Sequence, residues 1–599
     1  MPSSAALHYR VELADRHAHL FSVTLTIRNP AAGQLVSMPV WIPGSYLVRE
    51  FSRNLQQLGA SQAGMAVPLR QLDKCSWRVQ CSGSTPLVLR YLVYAFDNSV
   101  RSAWLDSRRG FFNGTSLFLQ VAGQEHAAHG LQLVADPLAR DWSVATALTP
   151  QRVTARGFGS YLAADYDELV DSPVEMGAFW SGAFTACGVA HRFVVAGATP
   201  SFDGARLLAD SQRICEAAIH FWHGAGTGKR LNSKPLHRRY VFMLNAVDDG
   251  YGGLEHRAST ALICNRKDLP RRAAQSGADK QPEGYTTLLG LISHEYFHTW
   301  NVKRLRPIEF ARYGYGQENY TELLWFFEGF TSYYDDLLLR RAKLIDDPVY
   351  LKLLGKTINQ VLQTPGRAVQ SVAAASFDAW VKYYRQDENT PNLTVSYYTK
   401  GALVALCLDL TLRGEGRTSL DQVMRALWRR CKGGPMTEED LGTVLLQLGG
   451  RCYAAELSAW VHGTAELPLR PLLERAGVSV TDEPAQLAQR LGLRVTEAGS
   501  IRVKTVLRGG AADAAGLCAG DEWLGVETGP DQCWRLLRLD DLTLYLGPAR
   551  QFTALVARDQ RLLRLHLELP AALCTWRLGS RDAAQLVRWL GAQTRPGTP

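Results

Sequence analysis

His294, Glu295 and His298 spell H-E-x-x-H inside the stretch Leu291–Pro307, and these residue types at this spacing can assemble hydrolytic chemistry. On a helix, residues four apart return to the same face one turn along. Two imidazoles placed that way can share one tetrahedral metal ion. Glu295, beside the first histidine, has a carboxylate that can reach water at such a metal without ligating it. Leu288, Leu291, Ile292 and Phe297 offer the apolar contacts of a buried helix. The same pattern also arises by chance, so the motif asks for a further ligand.

A catalytic zinc usually has three protein ligands and one open position. The carboxylates that follow His298 are Glu309, Glu318, Glu322 and Glu328. Glu328 lies inside ELLWFFEGFTSYY, among Trp325, Phe326, Phe327 and Phe330. A carboxylate in that company is costly to bury unless it is paired or metal-bound. The bland alternative is a salt bridge to an arginine.

The elements that must position these groups are legible as a sheet followed by helices, an α+β arrangement. HYRVELADRHAHLFSVTLTIRN alternates apolar and polar residues in two runs, and PLVLRYLVYAF and TSLFLQVAG read as further strands. WIPGSYLVREFSRN (41–54) and Asp97–Gly114 read as loops. In the first, Trp41, Pro43, Gly44, Tyr46, Arg49 and Arg53 could shape a substrate cleft or brace a domain interface, and bracing is the favoured reading. HRFVVAG and RRYVFMLNAV read as strands, and SQRICEAAIHFWHGAG as a helix ending at glycine. Helical periodicity dominates from about 285 to 475, and GGPM (433–436) and the region near 480 punctuate the chain.

Composition bounds the function. The chain has 599 residues, 46% hydrophobic and 21% charged, as in a soluble globular protein. The net charge of +9 is spread without a long basic run, which argues against nucleic acid. The start has no apolar core of signal-peptide length, and no stretch approaches a membrane span. Eleven cysteines lack C-x-x-C pairs. Scattered reduced thiols fit better than a local Cys75–Cys81 bridge, and a cytoplasmic location is expected.

HEYFHTW followed by LWFFEGFTSYY resembles the gluzincin metallopeptidases, and LW-x-x-EGF is similar to the aminopeptidase pattern within them. GGLEH (252–256) is similar to the Gly-x-Met-Glu-Asn exopeptidase motif, with Leu254 and His256 in place of Met and Asn. YTKG (398–401) is similar to the Tyr-x-Lys-Gly motif. With WIPGSYLVREFSRN and a C-terminal PDZ-like region, the chain resembles the glycyl aminopeptidase family over roughly 1–570. The His298–Glu328 gap of 29 residues is longer than in the classical aminopeptidases and fits the glycyl family better.

The resemblance implies one zinc per chain, held by His294, His298 and Glu328. It implies Glu295 as the base that takes a proton from activated water and passes it to the leaving amine. Tyr398, chosen over adjacent Tyr397 by the Y-x-K-G match, would stabilise the oxyanion. Glu255, with Gly252 and Gly253, would bind the substrate's α-amino group, which makes an aminopeptidase preferring N-terminal Gly or Ala. The alternatives are a zinc endopeptidase guided by the PDZ module, or a non-catalytic peptide-binding protein. Expected boundaries are 1–168 for a β-rich domain, 169–478 for a thermolysin-like, mainly helical catalytic domain and 479–572 for the PDZ-like domain. RDAAQLVRWL reads as a last helix before the tail GAQTRPGTP, within 573–599. GAADAAGLCAGDEWLGV carries the PDZ resemblance, and Leu491, Gly492 and Leu493 would form its carboxylate loop for a peptide C-terminus.

Overall fold

The computed structural model of the chain describes residues 5–224, 236–272 and 281–591. The chain forms two compact units, Met1–Asn319 with Trp428–Thr437, and Tyr320–Leu427 with Glu438–Pro599.

The first unit opens on the expected hairpin. Leu7–Asp15 and Leu20–Ile27 pair antiparallel with Leu7 opposite Ile27, and their alternation turns Tyr9, Val11, Phe21, Val23 and Leu25 inward. Both belong to an eight-stranded sheet, in which Leu87–Tyr94 flanks Leu20–Ile27 and His129–Leu133 lies parallel to Leu7–Asp15.

TSLFLQVAG is a strand only at Gln120–Val121. Leu117, Phe118 and Leu119 are fully buried, yet their carbonyls meet three tyrosine hydroxyls instead of a ladder. Tyr91 donates to Leu117 O at 2.9 Å, Tyr166 to Phe118 O at 2.8 Å and Tyr9 to Leu119 O at 2.6 Å. The expected loop Asp97–Gly114 contains two strands, Ala103–Leu105 and Arg109–Phe112, which belong to a four-stranded sheet.

A five-stranded sheet follows, in the order Trp180–Ala186, Val189–Ala196, Arg239–Val247, Ser259–Asn265, Gly252–Glu255. Gly252–Glu255 is therefore an edge strand, antiparallel to its neighbour, with Glu255 opposite Thr260. The helix Gly204–His223 starts earlier than its apolar pattern suggests, because the Asp203 side chain accepts from the N–H of Arg206 and caps it; it stops at Gly224, φ 70°. GGPM is not a simple break: Pro435–Met436 pairs in parallel with Arg306–Pro307 within this unit.

The second unit holds the helices Leu324–Arg341, Asp347–Leu362, Thr399–Gly414 and Glu438–Gly449. It also holds a six-stranded sheet around Leu493–Glu497, Ile501–Val506, Glu522–Gly529, Gln551–Arg558 and Arg561–Glu568. That sheet has its own core, with Leu491, Ile501, Trp523, Val526 and Phe552. The segments entering and leaving it, Val478–Pro484 and Cys574–Ser580, pair antiparallel. Two amides clamp it within the unit. Asn359 donates to Trp576 O and accepts its N–H, and Asn392 donates to Val506 O and accepts from the N–H of Arg508.

The last helix spans Ala583–Leu590, capped by Asp582, and Arg340 donates to Gly591 O at 2.6 Å. Of the expected tail, 591–599, residues 592–599 lie outside the described residues. Among the described residues, no helix is long and apolar enough to cross a membrane, and all eleven cysteines are free.

Candidate metal centre

The helix Glu283–Phe297 carries His294 and Glu295, and His298 is its C-cap residue. The second histidine thus sits where the helix turns away rather than inside it. Its N–H still reaches His294 O at 3.2 Å, which keeps the one-turn relation of the motif. The two rings lie 4.7 Å apart, nearly perpendicular. His298 Nδ1 meets the carbonyl of Asn301 at 2.8 Å, which fixes the ring and directs Nε2 outward. The turn that presents that carbonyl is strained, because buried Val302 adopts φ 98°, a conformation a β-branched residue rarely takes.

Glu328 lies in the helix Leu324–Arg341 and is 1% exposed. Glu309 and Glu322 are exposed and Glu318 is half-buried. The donor atoms of His294, His298 and Glu328 all lie within 4.8 Å of one another. Two imidazoles and a carboxylate at that separation are the three-ligand set of a catalytic zinc, so the residues present fit the metal.

Two motif glycines explain how Glu328 meets Tyr398. A Cβ on Gly329 would stand 2.5 Å from the Cα of Gly401, and a Cβ on Gly401 would stand 2.5 Å from the carbonyl oxygen of Trp325. The helices Leu324–Arg341 and Thr399–Gly414 therefore cross backbone against backbone, which two glycines allow. Tyr398 precedes the second helix as its N-cap and is half-buried, whereas Tyr397 is fully buried. The Tyr398 hydroxyl lies 3.4 Å from that of Tyr384, and its ring stacks on Tyr383. Burial, then the Glu328 carboxylate, raises the Tyr398 pKa well above the ordinary phenol value, so the group stays protonated and can donate.

Glu295 is buried under the edge strand. A Cβ on Gly253 would collide with its carboxylate, so this glycine acts by leaving room for Glu295. Glu255 is 4% exposed. A Cβ on Gly44 would lie 2.5 Å from both of its carboxylate oxygens, and Gly44 holds φ 93°. The 41–54 segment, expected to be bracing, therefore also walls the Glu255 carboxylate. It is pinned by Trp41 Nε1, which donates to Gly314 O at 2.8 Å, and by Ile42, packed with Leu254.

His256 points away into a buried charge cluster. Its Nδ1 lies 3.1 Å from Asp171, which also receives Lys303 Nζ at 2.7 Å and the N–H of Arg257 at 2.9 Å. Burial alone would push the Asp171 pKa up, but Lys303, His256 and Arg257 hold it well below the usual carboxylate range.

Sequence reasoning missed Asp171 and Lys303, which carry no local signal, and singled out Gly44 only as part of a segment favoured as bracing, without its place at Glu255. It quoted Gly329 and Gly401 inside their motifs without their packing role; the glycine common to EGF and YTKG was the available clue. Leu491 and Leu493 are core residues, and the N–H of Gly492 is taken by Gln489 O at 3.0 Å.

Comparison with known proteins gives two family matches, the peptidase M61 N-terminal domain over residues 8–178 and the M61 glycyl aminopeptidase over 287–404. The chain is 36% identical to an aminopeptidase N family protein from Idiomarina loihiensis, whose crystal structure superposes with a TM-score of 0.90 over 98% of this chain and 100% of that one. An M1 zinc metallopeptidase from Deinococcus radiodurans is 15% identical, TM-score 0.47, over 77% of this chain and 94% of that one. An aminopeptidase A from Legionella pneumophila, solved with aspartic acid, is 12% identical, TM-score 0.48, over 96% of this chain and 58% of that one. No curated protein sequence matches.

Proposed function

The chain belongs to the M61 peptidase family and is a metallopeptidase, and from that premise we propose a zinc aminopeptidase that removes Gly or Ala from peptide N-termini. The observation that carries the reading is the convergence of His294, His298 and Glu328 within 4.8 Å, beside a buried Glu295.

His294, His298 and Glu328 would hold one zinc, which when bound supplies Lewis acidity to water and to the scissile carbonyl. Glu295 accepts a proton from the attacking water and returns it to the leaving amine. Tyr398, kept protonated, donates to the developing oxyanion. Glu255 seats the α-ammonium of the substrate, which ties cleavage to a free N-terminus and makes the enzyme an exopeptidase. Gly252 and Gly253 present bare backbone along the edge strand, where an extended peptide can pair. Eleven free thiols fit the cytoplasmic setting proposed here.

For residues 479–572 we propose a PDZ-like module. A peptide carboxylate at Leu491–Leu493 would need donors other than the Gly492 N–H, which is already committed.

The test compares an Ala anilide with an N-terminally blocked peptide, with and without chelator. Selective hydrolysis of the free N-terminus, abolished by chelator, is expected. Glu295→Gln should retain zinc and lose turnover by about 10²- to 10⁴-fold. Activity retained in that variant rejects the base assignment, and equal cleavage of the blocked peptide returns the endopeptidase reading.

A further inference from the structure

Arg101 has a buried Nε without a hydrogen-bond partner, and no acidic residue is paired with it among the described residues. A guanidinium left in that state calls for an explanation, since buried donors are normally satisfied. Its loop is not slack. Asn113 holds the carbonyl of Val100 at 2.8 Å through Nδ2 and that of Ser102 at 3.1 Å through its N–H. Val100 is packed with Ile42 and Leu254 in one apolar cluster. That cluster sets two things against the same strand: the Gly44 turn at Glu255, and Arg101 at Gly252.

The guanidinium Nη2 and Nη1 lie 3.7 and 3.9 Å from where a Cβ on Gly252 would stand. Because Gly252 has no side chain, the cation lies close to the strand's own backbone. Gly252–Glu255 is the free edge of its sheet, with Arg101 at one end and Glu255 at the other. At about 3.4 Å per residue, the three steps between them span about 10 Å. An extended tripeptide spans about the same from its amine to its carboxylate. A carboxylate facing a guanidinium can take two parallel charge-assisted hydrogen bonds.

We propose that Arg101 is the subsite for the C-terminal carboxylate of a short substrate, so that the site is built for free tripeptides rather than long or amidated chains. This rests on Glu255 seating the amine at the other end.

Full-length, zinc-loaded protein is assayed on Ala-Ala-Ala, its C-terminal amide, its N-acetyl form and an Ala anilide. Wild type should favour the acid over the amide by at least about tenfold in kcat/KM. Arg101→Met should lower the acid about 10- to 100-fold, mainly through KM, and leave the amide and the anilide within about threefold. Arg101→Lys should recover part of the loss, because the charge returns without the fork. An acid-to-amide ratio near one in the wild type overturns the subsite. So does an equal loss on acid and amide in the Met variant, or a loss on the anilide, which has no carboxylate to hold. If the N-acetyl peptide is cleaved as fast as the free one, the aminopeptidase reading falls by itself, and the acid-to-amide ratio still decides Arg101.

Discussion

Gly44 matters for what a side chain there would strike. A methyl group would sit 2.5 Å from both oxygens of Glu255, on a backbone with φ 93° that Ala adopts only with strain. Gly44→Ala must therefore displace the carboxylate or the turn. A displacement of about 1 Å in a positioning group can cost about 10²-fold. The expected result is a fall of that order in kcat/KM for an Ala anilide, expressed mainly in KM, with zinc content unchanged. A change under twofold would mean that Glu255 does not depend on this wall. The contrast with Glu328 shows what sequence can carry at this scale. Glu328 was legible because a carboxylate among Trp325, Phe326, Phe327 and Phe330 needs a reason to be there. The contact of Gly44 with Glu255 was not, because that partner lies far away in the chain and glycine declares no chemistry of its own.

The crossing of Leu324–Arg341 over Thr399–Gly414 sets Glu328 and Tyr398 together, and it depends on Gly329 and Gly401. Overpacking a close contact typically costs about 1–3 kcal/mol and shifts backbone. Gly329→Ala, with 2.5 Å between the new Cβ and the Gly401 Cα, should lower the unfolding free energy measured in urea by about that amount and weaken zinc retention in dialysis, because Glu328 is the adjacent residue. Wild-type zinc affinity in a destabilised variant would separate the crossing from the site. Elements built on period were readable: the Leu7–Asp15 and Leu20–Ile27 hairpin and the H-E-x-x-H helix follow their apolar patterns. Leu117–Leu119 has the same apolar look but no ladder. What decides its structure is three hydroxyls from Tyr9, Tyr91 and Tyr166, a tertiary arrangement that no local pattern contains. The strands in Asp97–Gly114 were hidden for the converse reason, because polar residues and turns break up Ala103–Leu105 and Arg109–Phe112.

At the scale of the whole molecule, the order of periodic segments gave the α+β class and composition a net charge of +9, but neither could say which histidines are buried. In the first unit, His129 is fully buried and His191 is 2% exposed. Burial lowers each from the ordinary 6.5 to about 4, while carbonyl contacts to Ala127 and Val189 oppose the shift. The sign follows from linkage. The folded pKa lies below the unfolded one, so the unfolded chain takes up protons first as the pH falls. Stability from these groups is complete above about 6.5 and is lost between about 6.5 and 4, by about 3 kcal/mol for each histidine. Asp171 acts in a different window. Its depressed pKa contributes stability above the unfolded carboxylate value near 4 and is lost only at more acid pH. The urea midpoint should therefore hold from pH 8 to about 6.5 and then fall steadily to pH 4.5. His129→Gln, which cannot titrate, should fall less steeply over the same range. A wild-type midpoint that stays flat to pH 4.5, or an equal slope in the variant, would place the protonation of His129 outside the folding equilibrium.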